Sequence, residues 1–175
     1  SVVQRGVNDH TLIELANYCR KKNIILRFIE YMDVGNRNGW KMDQVVPSSE
    51  IVSLLNSELL LEPLDPNYPG EVAQRFRYKD GSGEIGVISS VTAPFCRDCT
   101  RMRLSPEGTL YTCLFGSTGT DLRETIRAGS DDQMIKSIIE GTWNARKDRY
   151  SEERTSLTEF ERKTRRKVEM YHIGG

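Results

Sequence analysis

Along the first thirty residues, apolar positions recur first at strand spacing, then at helix spacing, then at strand spacing again. Val2 and Val3 read as the end of a buried strand, broken by Gly6-Val7-Asn8-Asp9, where Asn8 or Asp9 can accept from the free amides of a helix start. Leu12, Ile13, Leu15, Ala16 and Cys19 then form an apolar stripe that predicts a helix over 9–22. Lys21 and Lys22 fall in its last turn, where the helix dipole favours cations. Residues 24–31, Ile-Ile-Leu-Arg-Phe-Ile-Glu-Tyr, are mostly apolar on both faces and predict a second strand. Strand, helix, strand in this order predicts a βαβ unit with parallel pairing, as part of an α/β barrel or an open sheet. In both architectures ligands meet the loops at strand C-termini. Here that loop is 32–40, rich in glycine and asparagine.

Farther on, Pro47-Ser48-Ser49-Glu50 predicts a helix start with serine caps, and Ile51, Val52, Leu54 and Leu55 its buried side. A short strand is expected at 59–61. Residues 62–70 contain three prolines and read as a loop and a subdomain boundary, dividing the chain into 1–62 and 63–175. Strand-like runs at 73–78 and 84–91 flank Asp80-Gly81-Ser82-Gly83, which predicts a hairpin. A second hairpin is expected from strands at 101–104 and 109–115, turning at Ser105-Pro106-Glu107-Gly108. Helices are expected near 121–128 and 131–146, the latter burying Met134, Ile138 and Ile139.

Composition narrows the class. The chain has 175 residues, about one domain at the rough prior of ~150 residues each. Lys plus Arg and Asp plus Glu are equal at 25, so bulk electrostatics do not make it a polyanion binder. No run of the ~18 apolar residues needed for a membrane span occurs, and no secretory signal opens the chain. Ser1-Val2-Val3-Gln4 instead reads as mid-strand sequence, which predicts that a larger protein continues upstream. The basic run at 162–167 could touch phosphates or nucleic acid. Its neighbours Glu159, Glu161 and Glu169 favour a solvated helix.

Three of the four cysteines sit together as Cys96-x2-Cys99-x13-Cys113, and Cys19 stands alone on the first helix. The second expected hairpin turns the chain back, which makes the long gap compatible with one site. Such thiols read as a zinc site or an iron–sulfur cluster, against three buried structural thiols. Structural zinc wants four protein ligands, and neither histidine, His10 or His172, lies at a tidy spacing. A [4Fe–4S] cluster tolerates three cysteines and one open iron. Arg101 and Arg103, two apart on an expected strand, face one side beside the thiols and offer guanidinium forks to an anionic, phosphate-bearing ligand. On an exposed strand they would instead be ordinary surface pairs. Met32 ends a strand, where core packing competes with ligand contact. The terminal Gly174-Gly175 reads as a flexible tail or as a segment thin enough to thread a narrow site.

The stretch 95–115, with Gln4-Arg5-Gly6-Val7-Asn8-Asp9, Arg27-Phe28-Ile29-Glu30-Tyr31-Met32 and Gly174-Gly175, resembles the MoaA family of radical S-adenosylmethionine enzymes. These are the GTP 3′,8-cyclases of molybdenum cofactor biosynthesis, and the resemblance covers essentially the whole chain. It implies the C-terminal part of an incomplete TIM barrel, followed by an antiparallel, hairpin-containing second-cluster subdomain and C-terminal helices. In the family, a cluster on an N-terminal Cys-x3-Cys-x2-Cys cleaves S-adenosylmethionine. The 5′-deoxyadenosyl radical then takes hydrogen from the GTP ribose, and guanine C8 is joined to C3′. The resemblance implies a second [4Fe–4S] cluster on Cys96, Cys99 and Cys113, its open iron taking guanine. It further implies GTP contacts at Arg101, Met102 and Arg103 and an S-adenosylmethionine contact at Met32. The tail of Gly174 and Gly175 would reach the active site. A cytoplasmic lyase, organellar in a eukaryote, is implied. It would feed cyclic pyranopterin monophosphate synthase, without membrane or nucleic-acid partners and with room for a homodimer.

One departure limits this reading. No Cys-x3-Cys-x2-Cys occurs in the 175 residues, and the family's phosphate-binding lysine would fall just upstream of Ser1. The expectation is therefore the C-terminal half of such an enzyme, inactive alone, because the cofactor carries the hard step. The competing readings are the auxiliary-cluster domain of another radical enzyme and a zinc-binding nucleic-acid module.

Overall fold

The computed structural model describes residues 1–173, apart from the side chains of Glu159 and Lys163, so the Gly174-Gly175 tail lies outside the described residues. The chain divides into two units. The first takes in Ser1–Met32 and Trp40–Cys99; the second takes in Asp33–Gly39 and Thr100–Gly175. Among the described residues no helix is long and apolar enough to cross a membrane.

In the first unit, β1 (Val2–Val3), α1 (Leu12–Lys21) and β2 (Leu26–Glu30) form the expected strand–helix–strand, with β1 and β2 parallel. α2 (Ser48–Leu59), β3 (Leu61–Leu64), β4 (Gln74–Tyr78) and β5 (Glu84–Ile88) follow. The five strands make one mixed sheet in the order β1-β2-β5-β4-β3. β2 is parallel to β5, with Phe28 opposite Val87, and β4 is antiparallel to both β5 and β3. The expected hairpin over 73–91 is present as β4–β5. Ala16 and Cys19 of α1 and Ile51 and Leu55 of α2 meet Leu26, Phe28, Ile85 and Val87 in one core. Each large side chain so buried contributes about 1.5–3 kcal/mol.

Several local expectations are corrected. β2 begins at Leu26, and Ile24 and Ile25 are exposed. Asn23 adopts a left-handed φ of 55°, and the Ile24 amide bonds back to the Cys19 carbonyl at 2.9 Å, so these residues finish the helix cap instead of starting the strand. Leu54 points outward from α2. Pro63 lies inside β3, where the 62–70 stretch reads as loop. β3 pairs only with β4, and an edge strand tolerates a residue with no amide hydrogen. Asn8 and Asp9 do not cap the helix; their carbonyl and carboxylate oxygens accept from the Gln4 and Gly6 amides at 2.9 and 3.0 Å.

The expected serine caps of α2 are replaced by a carboxylate from the sheet. Glu30 is fully buried at the end of β2. It accepts from the Ser48 amide at 2.7 Å, the Val91 amide at 2.7 Å, the Thr92 amide at 2.8 Å and the Thr92 hydroxyl at 2.5 Å. A negative charge at a helix N-terminus is also favoured by the dipole.

In the second unit, β6 (Arg103–Leu104), β7 (Thr109–Tyr111) and β8 (Thr120–Asp121) form an antiparallel sheet in that order. Gly108, at φ 86°, closes the β6–β7 turn. α3 (Arg123–Arg127), α4 (Asp132–Asn144), α5 (Tyr150–Glu153) and α6 (Glu159–Thr164) follow. Asp131 caps α4 through the Met134 amide at 2.8 Å. α4 buries no residue, however: Met134 is exposed and Ile138 and Ile139 are half-buried, contrary to the stripe expected there. The core of this unit is built from Leu110, Phe115, Leu122, Tyr150 and Ile173, interleaved with buried Asp33, Arg154 and Lys167.

Replacing Glu30 with glutamine turns an amide NH2 toward backbone donors. Glu30→Gln is expected to lower stability by about 2–3 kcal/mol, read as a lower urea midpoint. A midpoint equal to wild type would show that the four donors find other partners.

Candidate functional site

The cysteine motif lies in irregular backbone, as its chemistry requires. Cys96 and Cys99 share a turn in which the Asp98 amide donates to the Phe95 carbonyl at 3.2 Å. Both thiols are half-buried, within the first unit. Cys113 belongs to the second unit, just past β7. Its sulfur accepts from the Phe115 amide at 3.4 Å, and its carbonyl accepts from Gly116 at 3.1 Å. The β6–β7 register pairs Arg103 with Tyr111. The hairpin therefore does double the chain back, and Arg101 and Cys113 flank its open end.

None of the four cysteines is in a disulfide, and half-buried thiols are donors of the kind an iron–sulfur cluster takes. Among the described residues, no three His, Cys, Asp or Glu side chains are grouped so as to hold a metal ion. Strand geometry governs Arg103, which is half-buried in β6. Arg101 is exposed and precedes the strand, so the two-residue alternation does not place it. Met102 and Met32 are half-buried.

The ordering of the second unit comes from a residue the sequence did not single out. The Asp33 carboxylate is buried and accepts from Arg154 Nε at 2.8 Å, from Lys167 Nζ at 2.7 Å and from the Tyr150 hydroxyl. Lys167 Nζ also donates to the Asp33 carbonyl at 2.7 Å. Burial alone would raise the Asp33 pKa; the Arg154 charge and the Lys167 and Tyr150 hydrogen bonds outweigh it and hold the carboxyl below its ordinary value. Burial, then the hydrogen bond to Asp33 and its charge, push the Tyr150 hydroxyl well above the usual range. Burial draws the Lys167 ammonium below an ordinary lysine, against the pull of Asp33. The cluster thus favours the charge on Asp33 more firmly than the charge on Lys167.

The same groups cage the Cys113 loop. The Phe115 ring stacks on Tyr150 at 4.6 Å and 29°, with Arg154 at 5.0 Å and Lys167 at 5.5 Å from its centroid. Arg165 lies 5.0 Å from the Tyr150 ring. The basic run is therefore not a plain solvated helix: Lys167 is buried, and Arg162 donates to the Leu157 carbonyl at 2.7 Å.

A cleft of about 590 Å³ opens in this unit. Residues 33–39 supply Asn36 and Arg37, β7 supplies Tyr111, and the C-terminal segment supplies Arg166, Glu169 and His172. Asn36 fixes two of these walls together. Its Nδ2 donates to the Lys167 carbonyl at 2.6 Å, and its Oδ1 accepts from the Lys167 amide at 3.0 Å. The Asn36 amide donates to Glu169 Oε1 at 2.9 Å. Gly35 permits this approach, since a Cβ there would stand 2.1 Å from Glu169 Oε2. The glycine–asparagine composition of 32–40 suggested a loop able to bend close to a ligand; in the structure it is Glu169 and Lys167 of the same chain that it approaches. Nothing in a single sequence paired Asp33 with residues more than a hundred positions away.

The folded-state pKa of Asp33 lies below its unfolded value. Its contribution to stability is therefore complete above about pH 4 and is lost as the pH falls through the folded value. Asp33→Asn leaves Arg154 and Lys167 buried without their counter-charge. It is expected to cost about 3–5 kcal/mol at neutral pH, with the gap to wild type closing in acid. Denaturant titrations across pH check this; a gap independent of pH would deny the carboxylate its role.

Comparison with known proteins fits this motif. A family model described as Molybdenum Cofactor Synthesis C matches residues 24–152. The GTP 3′,8-cyclase of Acidothermus cellulolyticus is 47% identical over 196 residues, covering 100% of this chain and 54% of that protein. That of Staphylococcus carnosus is 46% identical over 175 residues, covering 99% and 51%. That of a Synechococcus species is 43% identical over 175 residues, covering 100% and 48%. The chain spans about half the length of the curated relatives it matches. The match takes in the hairpin and the three thiols, and the chain belongs to the Molybdenum Cofactor Synthesis C family.

Proposed function

We propose that this chain is the substrate-binding, second-cluster half of a GTP 3′,8-cyclase. Such an enzyme converts GTP to (8S)-3′,8-cyclo-7,8-dihydroguanosine 5′-triphosphate in molybdenum cofactor biosynthesis. The observation that carries this reading is a whole-chain likeness to proteins of that name, combined with three cysteines outside any disulfide, ahead of and behind a hairpin bearing Arg103. The parallel β1-β2-β5 segment is consistent with a piece of a TIM-barrel wall.

Cys96, Cys99 and Cys113 would hold a [4Fe–4S] cluster, which when bound supplies one iron with a coordination position free for substrate guanine. Arg101 and Arg103 bind the anionic nucleotide through charge-assisted hydrogen bonds, and Met102 packs against it. Phe115, caged by Tyr150, Arg154 and Lys167, keeps the Cys113 loop in one conformation. Met32 contacts S-adenosylmethionine at the end of β2, and Gly174 and Gly175 reach the reacting nucleotide. The chain alone binds substrate without turning it over, because radical generation needs a Cys-x3-Cys-x2-Cys motif that its 175 residues do not contain.

The test is anaerobic reconstitution with iron and sulfide, followed by GTP titration. A brown protein whose cluster spectrum shifts with GTP is expected. A colourless protein holding zinc would reject the reading, and a brown protein blind to GTP would point to a different radical enzyme. Arg103→Ala is expected to weaken GTP binding about tenfold while iron is retained. Iron loss in that variant would make the arginine structural.

A further inference from the structure

Tyr150 holds the chain just after Cys113, through the stacked ring of Phe115. Two positions earlier in sequence, Asp148 holds the chain just before it. The Thr112 hydroxyl donates to Asp148 Oδ2 at 2.5 Å, and Thr112 directly precedes Cys113. That is the length of a hydroxyl bond to an ionised carboxylate, roughly twice as strong as a neutral one. Arg146 Nε stands 3.7 Å from the same Oδ2, and its guanidinium lies 5.0 Å from the centre of the Trp143 ring. The Arg146 side chain is 11% exposed and that of Asp148 30%, so water competes poorly for the pair.

The Thr112–Asp148 bond falls where strand pairing has ended. The β6–β7 ladder runs no farther than Arg103 and Tyr111, and β7 pairs β8 through Thr109 and Leu110. Thr112 and Cys113 lie past both ladders. On the far side of the thiol, the Phe115 amide donates to Cys113 Sγ and the Gly116 amide to the Cys113 carbonyl. Residues 148–150, between α4 and α5, therefore grip the residue before Cys113 and the ring two positions after it. Hydrogen bonds one step out from a metal-binding side chain fix its orientation, and their loss loosens the metal.

We propose that Asp148, set by Arg146 and acting through the Thr112 hydroxyl, is a positioning residue for the Cys113 thiol. The bearing of Asp148 on a bound cluster rests on the reading of Cys96, Cys99 and Cys113 as ligands; its bearing on the thiol itself does not.

The reduced, iron-free chain is pulsed with iodoacetamide, and each cysteine is scored by peptide mass spectrometry. Cys19, 7% exposed in the core of the first unit, reports general opening there. Hydrogen exchange at the Leu122 amide, which donates to the Gly108 carbonyl at 2.8 Å, reports the fold of the second unit. Thr112→Val keeps the side-chain shape and removes the donor, Asp148→Ala removes the acceptor, and Thr112→Ser keeps the donor.

Cys113 is expected to react about tenfold faster in Thr112→Val and in Asp148→Ala, and no faster still in the double variant, because both changes break one bond. Thr112→Ser should react like wild type. Cys19, Cys96 and Cys99 should keep their rates, and Leu122 its protection. After reconstitution with iron and sulfide, a chelator should strip iron about tenfold faster from the Val and Ala variants and not from Thr112→Ser. Thr112→Val decides the matter if Asp148→Ala opens the unit. A wild-type Cys113 rate in Thr112→Val, effects that add in the double variant, or a rate rise in Thr112→Val shared by Cys19 or matched by lost Leu122 protection would each overturn the proposal. The two proposals fail separately. A wild type that takes up no cluster, with Cys113 responding as expected, rejects the cyclase reading and leaves the positioning role standing. A cluster that forms and responds to GTP, with Cys113 indifferent to Thr112→Val, does the reverse.

Discussion

A carboxylate taken out of water must be matched by donors, and Asp33 is matched by a guanidinium, an ammonium and a phenol at once. The donors come from two places in the sequence: Tyr150 and Arg154 from α5 and its end, Lys167 from beyond α6. The residues that satisfy the charge are also the residues that surround Phe115, two positions after Cys113. One buried charge therefore fixes three segments: the stretch Asp33–Gly39, the loop that carries the third thiol, and the C-terminal strand of chain through Ile173. Removing one member of such a cluster strands the others in a low-dielectric interior, which is why the arrangement is all-or-none rather than a sum of small contacts.

The first unit uses the same device in a smaller form. Glu30 closes β2 and takes the first amide of α2 and two amides after β5. A carboxylate here does what the Ser48-Ser49 pair was expected to do. The apolar periodicity of residues 12–19 and 51–55 was enough to place both helices, and the alternation around Gly81 and Gly83 was enough to place the β4–β5 hairpin. Those signals are local, and local geometry answers to them. Pairing of Asp33 with Lys167, or of Glu30 with Val91, is long-range. A single chain contains no periodic trace of it, so Lys167 looked like one more charge in a basic run.

The turn and the hairpin around the thiols were legible in the sequence: Cys96 and Cys99 share a turn, and Cys113 follows β7 of the β6–β7 hairpin. Their neighbours were less so. Arg103 keeps its strand position, whereas Arg101 falls before the strand begins and Met134 turns outward from a helix that buries nothing. The position of Arg101 reflects how short the strands of the second unit are. Strands of two or three residues cannot impose alternation beyond their own ends, and the framework comes from buried charge and stacked rings instead.

Hydrogen exchange on Asp33→Asn tests the role of that buried carboxylate most directly, followed at three amides under conditions where α4 stays protected. In wild type the Phe115 amide bonds Cys113 Sγ, the Gly116 amide bonds the Cys113 carbonyl, and the Val168 amide bonds the Gly116 carbonyl. If Asp33 organises the thiol loop and the C-terminal segment together, all three should lose protection in the variant while α4 keeps its own. Unchanged protection at Phe115, Gly116 and Val168 would contradict it.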